Sequence, residues 1–91
     1  MKLASLLIAT ILAALSPALA QEWPGKTVRI VVPFGPGSTP DIVARLIADY
    51  WQQKYPASSF VIENKPGAGG NTGTDAIAKA APDGTTLGIS I

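Results

Sequence analysis

Apolar and polar residues follow one another along the chain with a spacing that changes from strand-like to helix-like and back. Three short runs rich in β-branched residues, at 26–32, 60–63 and 85–91, predict strands, and the segments 39–55 and 72–81 predict helices. The near-continuous apolar end of the first run is typical of a strand covered on both faces. The order β-α-β-α-β with short connections predicts an α/β fold with a parallel sheet and right-handed crossovers.

Both predicted helices have start signals. In the first, Thr39 is interpreted as the N-cap, Pro40 suits the first helical position, and Pro56 disfavours helical geometry just before itself. In the second, Thr72 and Asp75 fit a capping box in its looser Ser/Thr-x-x-Asp form. One apolar stripe is predicted on the first helix, formed by Val43, Leu46, Ile47 and Tyr50.

The first 20 residues have the layout of a secretory signal peptide. A basic start at Lys2 is followed by an apolar run over 3–15, then by Pro17 and an Ala-x-Ala pattern ending at Ala20. The apolar run is short for a bilayer span, although a short membrane anchor is the alternative. No cysteine follows Ala20, which argues against a lipoprotein anchor. We therefore expect cleavage after Ala20 and a periplasmic mature segment, 21–91.

The composition of the mature segment limits its chemistry. Of seven Lys and Arg in the chain, one is Lys2, so six basic residues face six acidic ones, and this balance argues against nucleic-acid binding. The chain has no cysteine and no histidine, so disulfides, thiolate metal sites and the usual general base are absent. We expect neither an enzyme nor a cofactor.

Two irregular loops carry the candidate chemistry. Residues 34–39 contain two glycines and one proline, and residues 67–73 contain four glycines. Both loops follow predicted strands, and ligands of open α/β sheets bind at the carboxyl edge of the strands. A glycine-rich loop leading into a helix can point several N–H groups at one spot, where the helix dipole favours an anion. A tight turn without a ligand is the alternative.

Three kinds of ligand site use a glycine-rich loop of this type. A Walker phosphate loop requires Lys and then Ser or Thr after the glycines, whereas Asn71 and Thr72 follow Gly70. A dinucleotide fingerprint requires a glycine one position before Gly73. The third, an anion cradle of backbone N–H groups for a small carboxylate, fits the sequence. Side-chain hydrogen bonds could be added by Ser38, Thr39, Asn71 and Thr72.

Two residues of the first loop have two interpretations each. Asp41 either complements the helix dipole, paired with Arg45 at i, i+4, or faces the ligand and accepts a bond from an amino or hydroxyl group. Phe34 either lines the pocket or belongs to the core. The residues alone leave these alternatives open.

Three spaced motifs carry a family resemblance. The first combines Ile30–Phe34, Pro36–Gly37 and Asp41–Arg45; the second is the Glu-Asn-Lys-Pro-Gly-Ala-Gly-Gly-x-x-Gly run Glu63–Gly73; the third is a modified Ala-x-Ala-x-Pro-Asp-Gly-x-Thr-Leu run, Ala78–Leu87. In these motifs the chain resembles the N-terminal part of the extracytoplasmic solute receptors of tripartite tricarboxylate transporters, the Bug-type receptors. It departs from them at Ser38, where the family commonly has glycine, and at Pro40, where it has Thr or Ser.

The resemblance implies a type II-like periplasmic-binding-protein fold with two α/β lobes around a cleft. It implies a small organic di- or tricarboxylate ligand that is passed to integral-membrane permease subunits. Because family members are several times longer, we expect residues 21–91 to be the N-terminal part of the first lobe, in a truncated product or partial sequence that lacks the second lobe and binds ligand weakly. The predicted ligand-binding residues are Phe34, Gly35, Gly37, Ser38, Thr39, Asp41, Gly67, Ala68, Gly69, Gly70 and Asn71.

Two rival functions remain at this point. One is an exported α/β interaction module whose glycine loop is only a turn. The other is a fragment of a nucleotide-binding enzyme, against which the export signal and the missing fingerprint both count.

Overall fold

A computed structural model describes residues 22–91, so the predicted signal peptide over 1–20 lies outside the described residues. Within residues 22–91, no helix is long and apolar enough to cross a membrane. The elements in chain order are β1 Thr27–Val32, α1 Thr39–Lys54, β2 Ser59–Asn64, a 3₁₀ turn Ala68–Gly70, α2 Asn71–Lys79 and β3 Thr86–Gly88. The predicted order of strands and helices is confirmed.

The three strands form one parallel sheet in the order β2-β1-β3. In its register, Ile30 of β1 lies beside Ile62 of β2 and Leu87 of β3. The central strand is the most apolar of the three, and Val28 and Val32 are fully buried. A strand with a neighbour on each side and a helix over each face loses nearly all contact with water, which accounts for the continuous apolar run. The predicted α/β parallel sheet is confirmed.

The two helices cover opposite faces of the sheet. On one face, Ala44 and Ala48 of α1 pack against Ile30 and Val32. On the other face, α2 lies so close to β3 that a side chain at Gly88 would overlap Ile77. The helices thus bury β1 from both sides while both strand-to-helix loops remain at the carboxyl edge.

The buried side of α1 is not the predicted apolar stripe. The helix buries Asp41, Ala44 and Ala48, whereas Leu46 and Tyr50 of the stripe are each 64% exposed. Small side chains let a helix approach the sheet closely, so the side with Ala44 and Ala48 packs inward, with Trp51 partly buried beside it, while Leu46 and Tyr50 point away. Sequence spacing identifies an apolar stripe but not which of two apolar sides is covered.

Both predicted helix caps are wrong. Ser38 rather than Thr39 is the N-cap of α1, and its hydroxyl donates to the Gly35 carbonyl oxygen at 2.6 Å instead of capping the helix. The second helix begins at Asn71, with Gly70 as its N-cap, so the Thr72–Asp75 capping box does not form. Asp75 instead accepts a hydrogen bond from Lys79 at 2.9 Å.

Aromatic side chains close the amino edge of the sheet. Trp23 meets Trp51 and Tyr55 edge-on, at ring-centroid distances of 5.3 and 5.7 Å, and Phe60 packs beside them. The Trp23 indole N–H also donates to the Gly84 carbonyl oxygen at 2.8 Å. The aromatic side chains thus pack together at this edge, while the two strand-to-helix loops lie at the carboxyl edge.

Gly73 allows the start of α2 to contact the ends of β1 and β2. A Cβ at this position would lie 2.6 Å from Pro33 Cα and 2.8 Å from the Lys65 carbonyl oxygen. Gly73→Ala should therefore lower the free energy of unfolding by about 1–3 kcal/mol, as overpacking does, although alanine has the better helix propensity by about 1 kcal/mol. Urea denaturation of the purified protein measures the change.

Gly35→Ala is the matched control, because a Cβ at Gly35 meets no atom within 4 Å and its φ is not positive. We expect that change to stay within about 0.5 kcal/mol of the wild type. A Gly73→Ala protein as stable as the wild type, or more stable, would contradict the close approach of α2.

Candidate functional site

The loops that follow β1 and β2 touch each other at the carboxyl edge of the sheet. The Phe34 ring lies directly over Gly70, and a Cβ built on Gly70 would approach Phe34 Cζ to 2.8 Å. Gly70 also has a φ of +99°, a conformation that L side chains rarely adopt. Both the backbone angle and the aromatic contact therefore require glycine at this position.

A cavity of about 180 Å³ opens where these loops meet the end of β3. The lining residues are Pro33, Phe34, Gly69, Gly70, Asn71, Thr74, Ser90 and Ile91. They come from three consecutive strand ends, as expected for the carboxyl edge of a parallel sheet. Polar groups in this lining are neutral: the Asn71 amide and the hydroxyls of Thr74 and Ser90.

The cavity brings together part of the predicted site. Four of the eleven predicted residues line it, namely Phe34, Gly69, Gly70 and Asn71. The other seven do not line it: Gly35, Gly37, Ser38, Gly67 and Ala68 lie in the same two loops, and Thr39 and Asp41 lie in the first turn of α1. Their contact with a ligand stays a prediction.

Sequence reasoning missed four lining residues, Pro33, Thr74, Ser90 and Ile91, of which Thr74 and Ser90 are polar. Ser90 follows β3, and its position after the third parallel strand was the available signal. Thr74 lies one helical turn after Gly70 and donates its hydroxyl to the Gly70 carbonyl oxygen at 2.8 Å. Only the winding of α2 turns Thr74 toward the cavity, so its role could not be seen from the loop sequence.

The glycine turn uses several of its N–H groups internally. The Gly70 and Thr72 N–H groups donate to the Gly67 carbonyl oxygen at 3.0 and 3.4 Å, and the Asn71 N–H donates to Ala68. Within residues 22–91, the N–H groups of Ala68 and Gly69 have no protein acceptor. Fewer backbone donors are therefore available for an anion than the glycine content suggests.

Ala68 occupies an unusual backbone conformation in this turn. Its φ is +52°, and it is the one non-glycine residue with positive φ in the described part of the chain. Such a conformation costs an L-residue about 1 kcal/mol or more, and strained residues cluster at ligand sites. The strain favours a functional interpretation of the turn over a purely connecting one.

Asp41 is a buried anchor of the first loop. The residue is 2% exposed, and its Oδ1 accepts a hydrogen bond from Asn64 Nδ2 at 2.8 Å. Its Oδ2 accepts from the Gly37 N–H at 2.9 Å and from Arg45 Nε at 3.0 Å. The bonds from Asn64, Gly37 and Arg45 lower the pKa of Asp41 to about 2. Both oxygens thus bind protein donors, and the carboxylate joins the loop to α1 and β2.

Asn64 completes this network and was not predicted as a site residue. Its Nδ2 also donates to the Phe34 carbonyl oxygen at 3.0 Å. The available signal was its place at the end of β2, inside the second sequence motif. The Ser38 hydroxyl donates to the Gly35 carbonyl oxygen, and its predicted contact with a ligand stays a prediction. Within residues 22–91, no three His, Cys, Asp or Glu side chains are grouped as metal ligands.

The fold agrees with solved structures of periplasmic proteins. Against the structure of periplasmic binding protein BugD, the TM-score is 0.66 at 41% identity, covering 72% of this chain and 22% of that one. Against R. palustris Rpa4515 with adipate, it is 0.71 at 43% identity, covering 76% and 23%. The described residues therefore have the fold of the first part of a periplasmic binding protein.

Sequence comparison gives the family. The sequence model of the tripartite tricarboxylate transporter family receptors matches residues 43–91, which is more than half of the chain. The chain therefore belongs to this family. It is 41% identical over 75 residues to Protein BugT of Bordetella pertussis, covering 82% of this chain and 23% of BugT. The chain spans about a quarter of the length of the relatives it matches.

The Asp41 network predicts a specific loss of stability in acid. Because the pKa of Asp41 is about 2 in the folded state against 3.8 without these contacts, its contribution is complete above about pH 4 and is lost as the pH falls toward 2. Asp41→Asn should be less stable than the wild type at neutral pH, and the difference should shrink between about pH 4 and pH 2. Urea denaturation across this pH range measures it.

Asp75→Asn provides the control, because Asp75 is in an exposed i, i+4 pair with Lys79. Such pairs contribute little, so this variant should follow the wild type at every pH. A stability difference for Asp41→Asn that does not change with pH would rule out the ionised carboxylate as the anchor.

Proposed function

We propose that the protein is an exported solute receptor that captures a small organic carboxylate for a tripartite tricarboxylate transporter. The supporting observation is the cavity at the carboxyl edge, where the glycine turn, Phe34 and the start of α2 meet. Of the two glycine-turn N–H groups without a protein acceptor among residues 22–91, that of Gly69 belongs to a residue that lines the cavity, and Asn71 is the first residue of α2. A carboxylate at this place would gain hydrogen bonds and the favourable end of the helix dipole.

The neutral lining favours recognition by dipoles over a fixed ion pair. The residues around the cavity include no charged side chain. The Asp41 carboxylate, in the first turn of α1, is already bonded to protein donors. An incoming carboxylate would therefore meet N–H and hydroxyl donors without a nearby unpaired negative charge, and could dissociate again when the transporter accepts it.

Two further points support the carboxylate class. The chain belongs to the tripartite tricarboxylate transporter receptors, and the similar R. palustris structure holds adipate. The cavity of about 180 Å³ has room for one carboxylate group and a few methylene groups of such a ligand. The remaining contacts would come from a second lobe. The relatives are about four times as long as this chain, which is long enough to include one.

The proposal includes the cellular arrangement expected from the sequence. Residues 1–20 act as a signal peptide cleaved after Ala20, and residues 21–91 form the N-terminal part of the first lobe. The loaded receptor delivers its ligand to the membrane permease subunits of the transporter in the periplasm. No chemical step is assigned to the protein.

Calorimetric titration of the full-length gene product tests the binding function. The panel is adipate, succinate, citrate and benzoate, with adipamide as the uncharged analogue of adipate. At least one carboxylate should bind with a Kd of about 10 μM or below, and adipamide should bind at least about tenfold more weakly than adipate if adipate binds. Absence of binding across the panel would reject the proposal.

Two alanine variants locate the binding site. Gly70→Ala should weaken binding at least about tenfold, because the new Cβ displaces Phe34 in the cavity wall. Gly25→Ala is the matched control, since Gly25 has a φ of +70° and open space around it but lies outside the cavity. Equal affinities of the Gly70→Ala variant and the wild type would place the ligand elsewhere.

A further inference from the structure

The side-chain amide of Asn64 connects β2 to both ends of the first loop. Its Nδ2 donates to the Phe34 carbonyl oxygen at 3.0 Å, near the start of the loop, and to Asp41 Oδ1 at 2.8 Å, just beyond its end. An amide nitrogen carries two hydrogens, so these two bonds use its full donor capacity. One side chain therefore restrains a loop that is otherwise irregular.

The position of Asn64 in the sheet makes this restraint rigid. Asn64 is the last residue of β2 and lies in register with Val32, the last residue of β1. The next N–H, that of Lys65, donates to the Val32 carbonyl oxygen at 2.8 Å. The backbone at Asn64 is thus held by the sheet, and its amide transmits that fixed position to the loop.

The restrained loop carries the wall of the cavity. Phe34, whose carbonyl accepts from Asn64, places its ring against Gly70 and lines the cavity. Asp41, the second acceptor, holds the Gly37 N–H at 2.9 Å and so shapes the middle of the loop. Asn64 itself is not among the lining residues. Its influence on a ligand must therefore pass through Phe34 and Asp41.

We propose that Asn64 is a positioning residue for the carboxylate cavity, and that its two amide hydrogen bonds set ligand affinity by fixing the Phe34 wall. This inference rests on the proposed carboxylate-binding function. It assigns a role to a residue that touches no ligand. Because the same amide also bonds the buried Asp41, its loss should lower stability as well, so the affinities are compared between folded proteins.

The substitution Asn64→Asp tests the amide with little change of shape. An ionised aspartate offers no hydrogen to Phe34 or Asp41, and it places a second negative charge beside the Asp41 carboxylate. On acidification the two carboxyl groups can share one proton, which restores the hydrogen bond to Asp41 but not the one to the Phe34 carbonyl oxygen. The loop should therefore be displaced at high pH and should return in part as the pH falls.

Two charged groups on α1 act on this pH dependence in opposite directions: the Asp41 carboxylate raises the pKa of an aspartate at position 64, and the Arg45 guanidinium lowers it. From α1, Asp41 and Arg45 face it, with Arg45 Nη2 at 3.5 Å from Asn64 Oδ1. The neighbouring Glu63 points to the opposite face of the sheet, where it pairs with Arg29 and Lys65. The Asp41 carboxylate is thus the acid that a new aspartate meets.

Titration with adipate, by calorimetry on the full-length protein, gives the main measurement. At about pH 8 the affinity of Asn64→Asp should be at least tenfold below that of the wild type, and at about pH 4.5 the ratio should fall to threefold or less. Because the two proteins are compared at the same pH, the protonation of adipate itself affects both affinities equally and cancels in their ratio. Circular dichroism confirms that both are folded under each condition.

Gln52→Glu is the matched control. Gln52 also donates its amide to a backbone carbonyl, that of Ser58 at 2.6 Å, but at the amino edge of the sheet. This change removes a comparable hydrogen bond by the same amide-to-acid substitution. It should lower stability while leaving the adipate affinity within about twofold of the wild type at both pH values.

Hydrogen exchange of the Gly37 amide provides a readout that needs no ligand. In Asn64→Asp at about pH 8, this amide should exchange at least tenfold faster than in the wild type, because its Asp41 acceptor is displaced. Unchanged exchange at Gly37 would overturn the positioning role whatever the ligand. The positioning role would also be overturned if the wild type binds adipate and the Asn64→Asp variant binds it with the same affinity.

The two proposals fail in different ways. If neither protein binds any carboxylate of the panel, the proposed function fails and the link from Asn64 to affinity fails with it. If the wild type binds and the Asn64→Asp variant binds equally well at both pH values, the receptor function stands and the positioning role is wrong.

Discussion

The buried carboxylate of Asp41 is the interaction on which the carboxyl edge depends. A charge removed from water is costly unless donors replace its hydration, and Asp41 is 2% exposed. Those donors come from the first loop, from α1 and from the last residue of β2. Satisfying one anion therefore requires three elements to meet at fixed distances. The loop that follows β1 owes its shape to this requirement rather than to regular backbone pairing.

The cavity beside this network is built with little side-chain bulk. Gly70 accepts the Phe34 ring at van der Waals distance, and Gly73 lets α2 begin directly against the ends of the strands. Close approach brings backbone N–H groups to the edge of a small space lined by neutral polar groups. Oriented dipoles around such a space attract an anion without neutralising it permanently.

The alternation of strands and helices was predictable, and the site was predictable in part. β-branched runs and turn residues separated the elements, and the glycine loop placed Gly69, Gly70 and Asn71 correctly at a cavity. The helix caps were not predictable, because the Ser38 hydroxyl has a nearer acceptor in Gly35 that exists only once the loop is folded. The number of free N–H groups in the glycine turn could not be predicted either, because the turn bonds several of them to its own carbonyl oxygens.

By itself, the sequence determined the α/β class, the parallel order and the edge at which the loops gather, because these follow from local spacing and from the direction of consecutive strands. Tertiary structure alone decided that α1 packs through Ala44, Ala48 and Trp51 and not through the stripe that includes Leu46 and Tyr50. It also decided that Asp41 bonds to Asn64, 23 residues away. Both outcomes depend on how closely the helix and the strands approach one another. The packed sheet sets that separation, and no single segment of the sequence does.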